Sequence, residues 1–131
     1  MGTKVAIIAS NGSLFDAYKV FNVATAAAAS DAEVGIFFTF EGLNLIHKEG
    51  HKQLPIPEGR EHFQEGFKKE NVPSIPELLS MAQELGVKII ACQMTMDVMS
   101  LEKDQFVDGI EVGGAASFVA YASDANITLT F

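Results

Sequence analysis

The chain has 131 residues, about half of them hydrophobic and a fifth charged, which is the balance of one packed domain with a real core and excludes a disordered chain. A formal net charge of -8 supplies none of the basic footprint that nucleic acid or an anionic membrane surface requires, so neither is expected as a partner. A single cysteine excludes an internal disulfide, and no stretch approaches the roughly 20 apolar residues of a membrane span.

Residues 4–10 (KVAIIAS) are apolar without alternation, which predicts a strand buried on both faces. Asn11-Gly12 predicts a turn and Ser13 a helix N-cap, with Asp16 in the positive first turn. Leu14, Ala17, Tyr18, Phe21, Ala24 and Ala28 then recur at helical spacing and mark one buried stripe; Ser30-Asp31 ends the helix. Residues 33–40 (EVGIFFTF) predict a second strand. The stretch 41–72 is polar, holds His47, His51 and His62, and reads as an inserted loop with short helical pieces. Ser74 and Glu77 form a capping box for a helix that buries Leu78, Leu79, Ala82 and Leu85 and ends at Gly86. Residues 87–92 (VKIIAC) predict the third strand, and residues 93–106 one or two short helices, with 95–99 the helical segment that follows Cys92. Residues 109–112 predict a short strand, Gly113-Gly114 a tight turn and residues 115–123 a helix. Residues 126–131 (NITLTF) alternate and predict an edge strand. Strands alternating with helices close into a parallel sheet covered on both faces, a three-layer α/β domain spanning the whole chain.

Cys92 stands out chemically. It ends a buried strand and precedes a helical segment, and ligands of open α/β sheets bind at the carboxyl ends of strands. A helix N-terminus there lowers a thiol pKa; the plain alternative is a small buried hydrophobe. Met94, Met96 and Met99 either line a dry pocket beside the sulfur or fill core gaps, and Asp97 is expected to cap the helix. The other strand ends, Asn11-Gly12-Ser13, Thr39 to Glu41 and Gly113-Gly114, should gather near Cys92 if the sheet is parallel. Their glycines allow close backbone approach to an anion, or are turns only. The pattern is neither GxGxxG nor a P-loop. His47 and His51 sit four apart but lack a recognised ligand spacing, so no metal site is expected, and no cofactor motif is read.

The segments Phe38-Thr39-Phe40-Glu41-Gly42-Leu43-Asn44, Ile89-Ile90-Ala91-Cys92-Gln93-Met94-Thr95-Met96-Asp97-Val98-Met99 and Asp108-Gly109-Ile110-Glu111-Val112-Gly113-Gly114-Ala115 together resemble the DsrE/DsrF-like family, in particular its DsrE-like subgroup. The likeness covers nearly the whole chain. It implies a five-stranded, mainly parallel sheet, frequent trimers or hexamers, and a role in intracellular sulfur transfer with a persulfide on the cysteine that Cys92 matches. Some relatives carry a further cysteine; this chain has none.

Two functions are therefore expected to compete. In the first the chain is an intracellular sulfur carrier or sulfurtransferase that relays sulfane sulfur on Cys92, with Asn11, Gly12, Ser13, Thr39, Glu41, Met94, Thr95, Gly113 and Gly114 around the substrate, and with donor and acceptor proteins as partners. In the second it is a non-catalytic oligomeric module that binds a small ligand beside a structural Cys92. The mean hydropathy of +0.20 predicts covered subunit interfaces, hence a homo-oligomer, a trimer or hexamer by the family likeness. No signal peptide is read at the start, which with the lone thiol leads to a cytoplasmic expectation.

Overall fold

Strands buried on both faces need apolar side chains at nearly every position, and the three central strands have them after one charged residue each. They are β1 (Lys4–Ala9), β2 (Glu33–Phe38) and β3 (Lys88–Cys92) of the computed structural model, which describes residues 2–131. With β4 (Glu111–Gly113) and β5 (Ile127–Thr130) they form one sheet in the order β4-β3-β2-β1-β5, every pair parallel. The alternating C-terminal segment lies on the edge, as its pattern predicts.

Two helices cover one face. α1 (Leu14–Ala29) opens with a capping box in which Ser13 and Asp16 satisfy each other's backbone, and it buries Ala17, Val20, Phe21 and Ala24. α3 (Ile75–Glu84) repeats the device with Ser74 and Glu77 and buries Ile75, Leu78, Leu79 and Ala82. Leu85, expected on that buried face, is instead the exposed C-cap. These helices close the larger core over Val5, Ile7, Ile36, Phe38 and Ile89. The opposite face carries only α5 (Ala115–Ala122), whose Phe118 stacks on Phe37 with centroids 5.4 Å apart, above Ala6, Ile90 and Cys92. Three layers result, and the layer over the cysteine face is the thin one.

Two boundaries differ from the sequence reading, each for a local reason. β2 stops at Phe38 because the chain turns over the end of β1: the Thr39 amide donates to the Ala9 carbonyl at 3.0 Å, and a Cβ on Gly42 would overlap that carbonyl. Phe40 consequently takes φ 50°, in the left-handed region, and starts a 3-10 turn over Phe40–Leu45. Gly113 is the last residue of β4, and Gly114 N-caps α5, so strand passes directly to helix without the expected tight turn. The stretch 93–106 holds the two short pieces expected there, α4 (Gln93–Val98) directly after β3 and a 3-10 turn over Lys103–Gln105.

The 41–72 stretch is less loop-like than its polarity implies. Leu43, Leu45, Ile46 and Leu54 are buried in the larger core. A second 3-10 turn spans Gly50–Lys52, and α2 (Phe63–Lys69) lies on the surface, where Phe63 and Phe67 pack against Phe15 and Tyr18 of α1. Among the described residues no helix is long and apolar enough to cross a membrane.

Candidate functional site

The sheet register puts Phe38 beside Ala91 and Gly113 beside Cys92. One step beyond Phe38, Thr39 therefore stands next to Cys92. Alternation along each strand turns Phe37 and Thr39 to the same face as Ile90 and Cys92, the face under α5. Cys92 is also the N-cap of α4, so the first amides of that helix turn toward its sulfur.

Cys92 is 5% exposed. Burial pushes its thiol pKa up, yet the net shift is down, because the Thr95 hydroxyl and backbone N–H, the Thr39 hydroxyl and the Met94 N–H lie where they favour the thiolate, although the Cys92 side chain makes no cap hydrogen bond. The two hydroxyl oxygens are 3.2 Å apart, and Thr95 Oγ1 also accepts the Phe40 amide at 3.2 Å. That amide occupies one acceptor position on Thr95 and leaves its hydroxyl proton free to turn to the sulfur or to Thr39. Thr95 is itself buried, so its hydroxyl is held in a dry setting where a bond to an anion is strong.

The remaining strand-end residues divide. Gly113 is in register with the cysteine, and Gly114 follows as the α5 cap. Glu41 lies beside the first strand end, since a Cβ on Gly12 would press on its carbonyl oxygen. It lines a cavity of about 240 Å³ with His47, Met99 and Leu101. Asn11, Gly12 and Ser13 belong to the end of β1, two strands from β3 and so roughly 10 Å from the sulfur. The Ser13 hydroxyl is fully engaged, donating to the Asp16 carboxylate at 2.6 Å and accepting the Asp16 amide at 3.1 Å. Asp97 accepts from Gln93 Nε2 at 2.8 Å within α4 and does not cap it, because Cys92 already holds the cap position.

The three methionines also separate. Met96 is buried in the larger core, on the other side of the sheet from Cys92, while Met94 and Met99 are half exposed at the rim. The histidines turn to backbone: His47 Nδ1 accepts the Glu49 and Gly50 amides, and His51 Nδ1 bonds the His47 carbonyl at 2.7 Å. Among the described residues no group of three possible metal ligands forms. A larger groove of about 460 Å³ runs along Lys103 to Ile110, but none of its lining residues touches the sulfur site, so its volume does not make it the reactive one.

The sequence reading takes Phe40 as the end of a strand and gives no sign of its turn. Its positive φ and its 56% exposure are both costly for a bulky aromatic residue, and its amide helps to fix Thr95.

Comparison with known proteins gives the chain's family and fold. The chain is 38% identical to "Sulfur carrier protein DsrE2" of Allochromatium vinosum, with 96% of each chain covered. It is 30% identical to the uncharacterized protein YrkE of Bacillus subtilis, over 96% of this chain and 95% of that one. The ychN protein of E. coli superposes with a TM-score of 0.67 at 20% identity, covering 98% of this chain and 99% of the other, a likeness of fold. The sequence profile of the DsrE/DsrF/DrsH-like family matches residues 2–62 and 56–130, and with the identity to its relatives this shows that the chain belongs to that family.

Proposed function

We propose that the protein is a sulfur carrier that holds sulfane sulfur as a persulfide on Cys92. The observation that carries the reading is the placement of Cys92 at the N-terminus of α4 beside the paired Thr39 and Thr95 hydroxyls, a setting that draws the thiol pKa down in spite of burial. A structural cysteine gains nothing from such a setting, whereas a nucleophile must be a thiolate. The relative named as a sulfur carrier supports the same reading.

In the first step the Cys92 thiolate attacks the outer sulfur of a donor persulfide. A new S–S bond forms, the donor's S–S bond breaks, and the donor cysteine leaves as its thiolate. In the second step an acceptor thiolate attacks the outer sulfur on Cys92, and the Cys92 thiolate leaves. Neither step changes the total oxidation state, so no cofactor is needed. Thr39, Thr95 and the Met94 amide hold the charge at Cys92 before attack and again as it departs. The partners are donor and acceptor proteins bearing cysteines, the site of action is cytoplasmic, and the working form is a homo-oligomer, a trimer by family likeness.

Intact-mass measurement after polysulfide treatment under native, reductant-free conditions tests the reading. A gain of one sulfur atom, about 32 Da, reversed by reductant and absent in Cys92→Ser, is expected. An unmodified wild-type protein would leave Cys92 as a structural residue of a ligand-binding module.

A further inference from the structure

The carboxyl ends of the strands are unlike the rest of the surface in two independent ways. First, the segments that surround Cys92 carry no lysine or arginine: none falls within 39–47, 89–102 or 112–131. Lys4 and Lys88 sit at the opposite, amino ends of β1 and β3, pairing with Glu33, Asp124 and Glu111. Lys48 and Lys103 line the separate groove along Phe106 to Ile110, and Lys19 and Lys52 stand beside the first turns of α1, at the end of β1 and two strands away from the sulfur. At the cysteine end the exposed charged side chains are Glu41, Asp97 and Glu102, all acidic.

Second, this end is apolar where it meets water. Among the described residues, four of the nine exposed large hydrophobic side chains are Phe40, Met94, Val98 and Met99, all on the turn after β2 or on α4 and its cap. Val98 is 73% exposed, and Phe40 is held outward by a backbone strained for its residue type. Neither feature helps the isolated chain to fold.

From this juxtaposition we infer that the site docks a polypeptide segment whose reacting cysteine is flanked by lysine or arginine and by an apolar side chain. The inference rests on the carrier reading above and names the chemistry of the partner. Lysine or arginine beside the partner's cysteine finds Glu41, Asp97 and Glu102, and the apolar neighbour covers Val98, Met94 and Phe40.

The test uses peptides whose single cysteine is activated as a 2-pyridyl disulfide. They share a leucine beside the cysteine and differ only in lysine or glutamate flanks. The Cys92 thiolate attacks the peptide sulfur, the Cys92–peptide disulfide forms, and pyridine-2-thione leaves and is read by absorbance. Each rate is divided by that with neutral di(2-pyridyl) disulfide, which reports the thiol alone. At low salt the lysine peptide should react about tenfold faster than the glutamate peptide. The ratio should fall toward one near 1 M salt, where the Debye length is about 3 Å. Glu41→Gln with Asp97→Asn should lower it, and Val98→Ser should slow both leucine peptides relative to the neutral probe. Equal rates for the two peptides at low salt, a faster glutamate peptide, or reaction with the neutral probe alone would overturn the inference. Peptide discrimination by a protein that takes up no sulfane sulfur would keep the docking surface and remove the carrier reading; sulfur uptake without discrimination would do the reverse.

Discussion

Thr39 and Thr95 offer the sharpest test of the cysteine site, because valine replaces either hydroxyl at nearly constant shape. A hydrogen bond to a charged group contributes about 1.5–3 kcal/mol. At 1.36 kcal/mol per pKa unit, loss of one such donor corresponds to a rise of about 1–2 units. Three donors remain in each variant, so the lower end applies, about one unit. Thr95→Val also strands the Phe40 amide, whose acceptor is Thr95 Oγ1, and should destabilise the fold by about 1–3 kcal/mol. Thr39→Val keeps the Thr39 amide bond to Ala9 and should raise the pKa with little loss of stability. Thr95→Ser restores the hydroxyl and should recover both properties. The assay is the pH dependence of iodoacetamide alkylation of folded protein, with the urea-unfolded chain as reference. Because the folded pKa is depressed, wild type gains stability over Cys92→Ala as pH rises through the folded value. That gain is full above the unfolded thiol value and is lost as pH falls. An unchanged alkylation profile in both valine variants, or a wild-type folded pKa above the unfolded one, would refute the role of these donors.

Ser13→Ala removes a capping hydroxyl that is already satisfied by Asp16, so it should cost about 1 kcal/mol in urea unfolding and leave the Cys92 alkylation profile unmoved. Gly42→Ala forces a methyl group into the Ala9 carbonyl; it should lower stability by about 3 kcal/mol and displace the Thr39–Phe40 turn, seen as slower alkylation of Cys92. Burial draws the His51 pKa below its ordinary value, so the folded state prefers the neutral ring. The stability this contributes is complete above about pH 6.5 and is lost as pH falls through the folded value, and His51→Asn should flatten the acid limb of urea midpoints.

Much of this architecture is legible because each local rule acts alone. The unbroken apolar runs of β1, β2 and β3 and the two capping boxes fix strands and helix starts without reference to the rest of the chain. What escapes the sequence is set across it. Phe40 reads as the end of a strand, since nothing local reveals that Gly42 must clear the Ala9 carbonyl. Met94, Met96 and Met99 read as one cluster, yet helix rotation buries Met96 in one core and leaves the others at the rim of the opposite face. Thr39 and Thr95 are 56 residues apart, and only the β2–β3 register brings their hydroxyls together at the sulfur. Ser13 illustrates the converse: it sits at a strand end, as ligand-binding residues do, but its hydroxyl is consumed by the cap.

Burial of Cys92 looks at first like an obstacle to sulfur exchange, and on the carrier reading it selects the productive outcome. A persulfide offers two sulfurs to an incoming thiolate. Attack on the outer one passes sulfane sulfur on and frees Cys92. Attack on the inner one joins the acceptor to Cys92 as a disulfide and expels hydrosulfide, and a chain with one cysteine has no second thiol to resolve it. Sγ of Cys92 lies under Phe37, Ile90 and Phe118 and is nearly closed to solvent, whereas the outer sulfur of a persulfide stands a further ~2.05 Å along the chain of atoms. The wall that hides the inner sulfur thus leaves the outer one as the accessible electrophile. Phe118→Ala thins that wall without touching the four donors, so it should shift the products of acceptor attack on persulfidated protein toward the mixed disulfide. Mass spectrometry of the quenched reaction measures this, and an unchanged ratio of thiol to mixed disulfide would show that burial does not direct the attack.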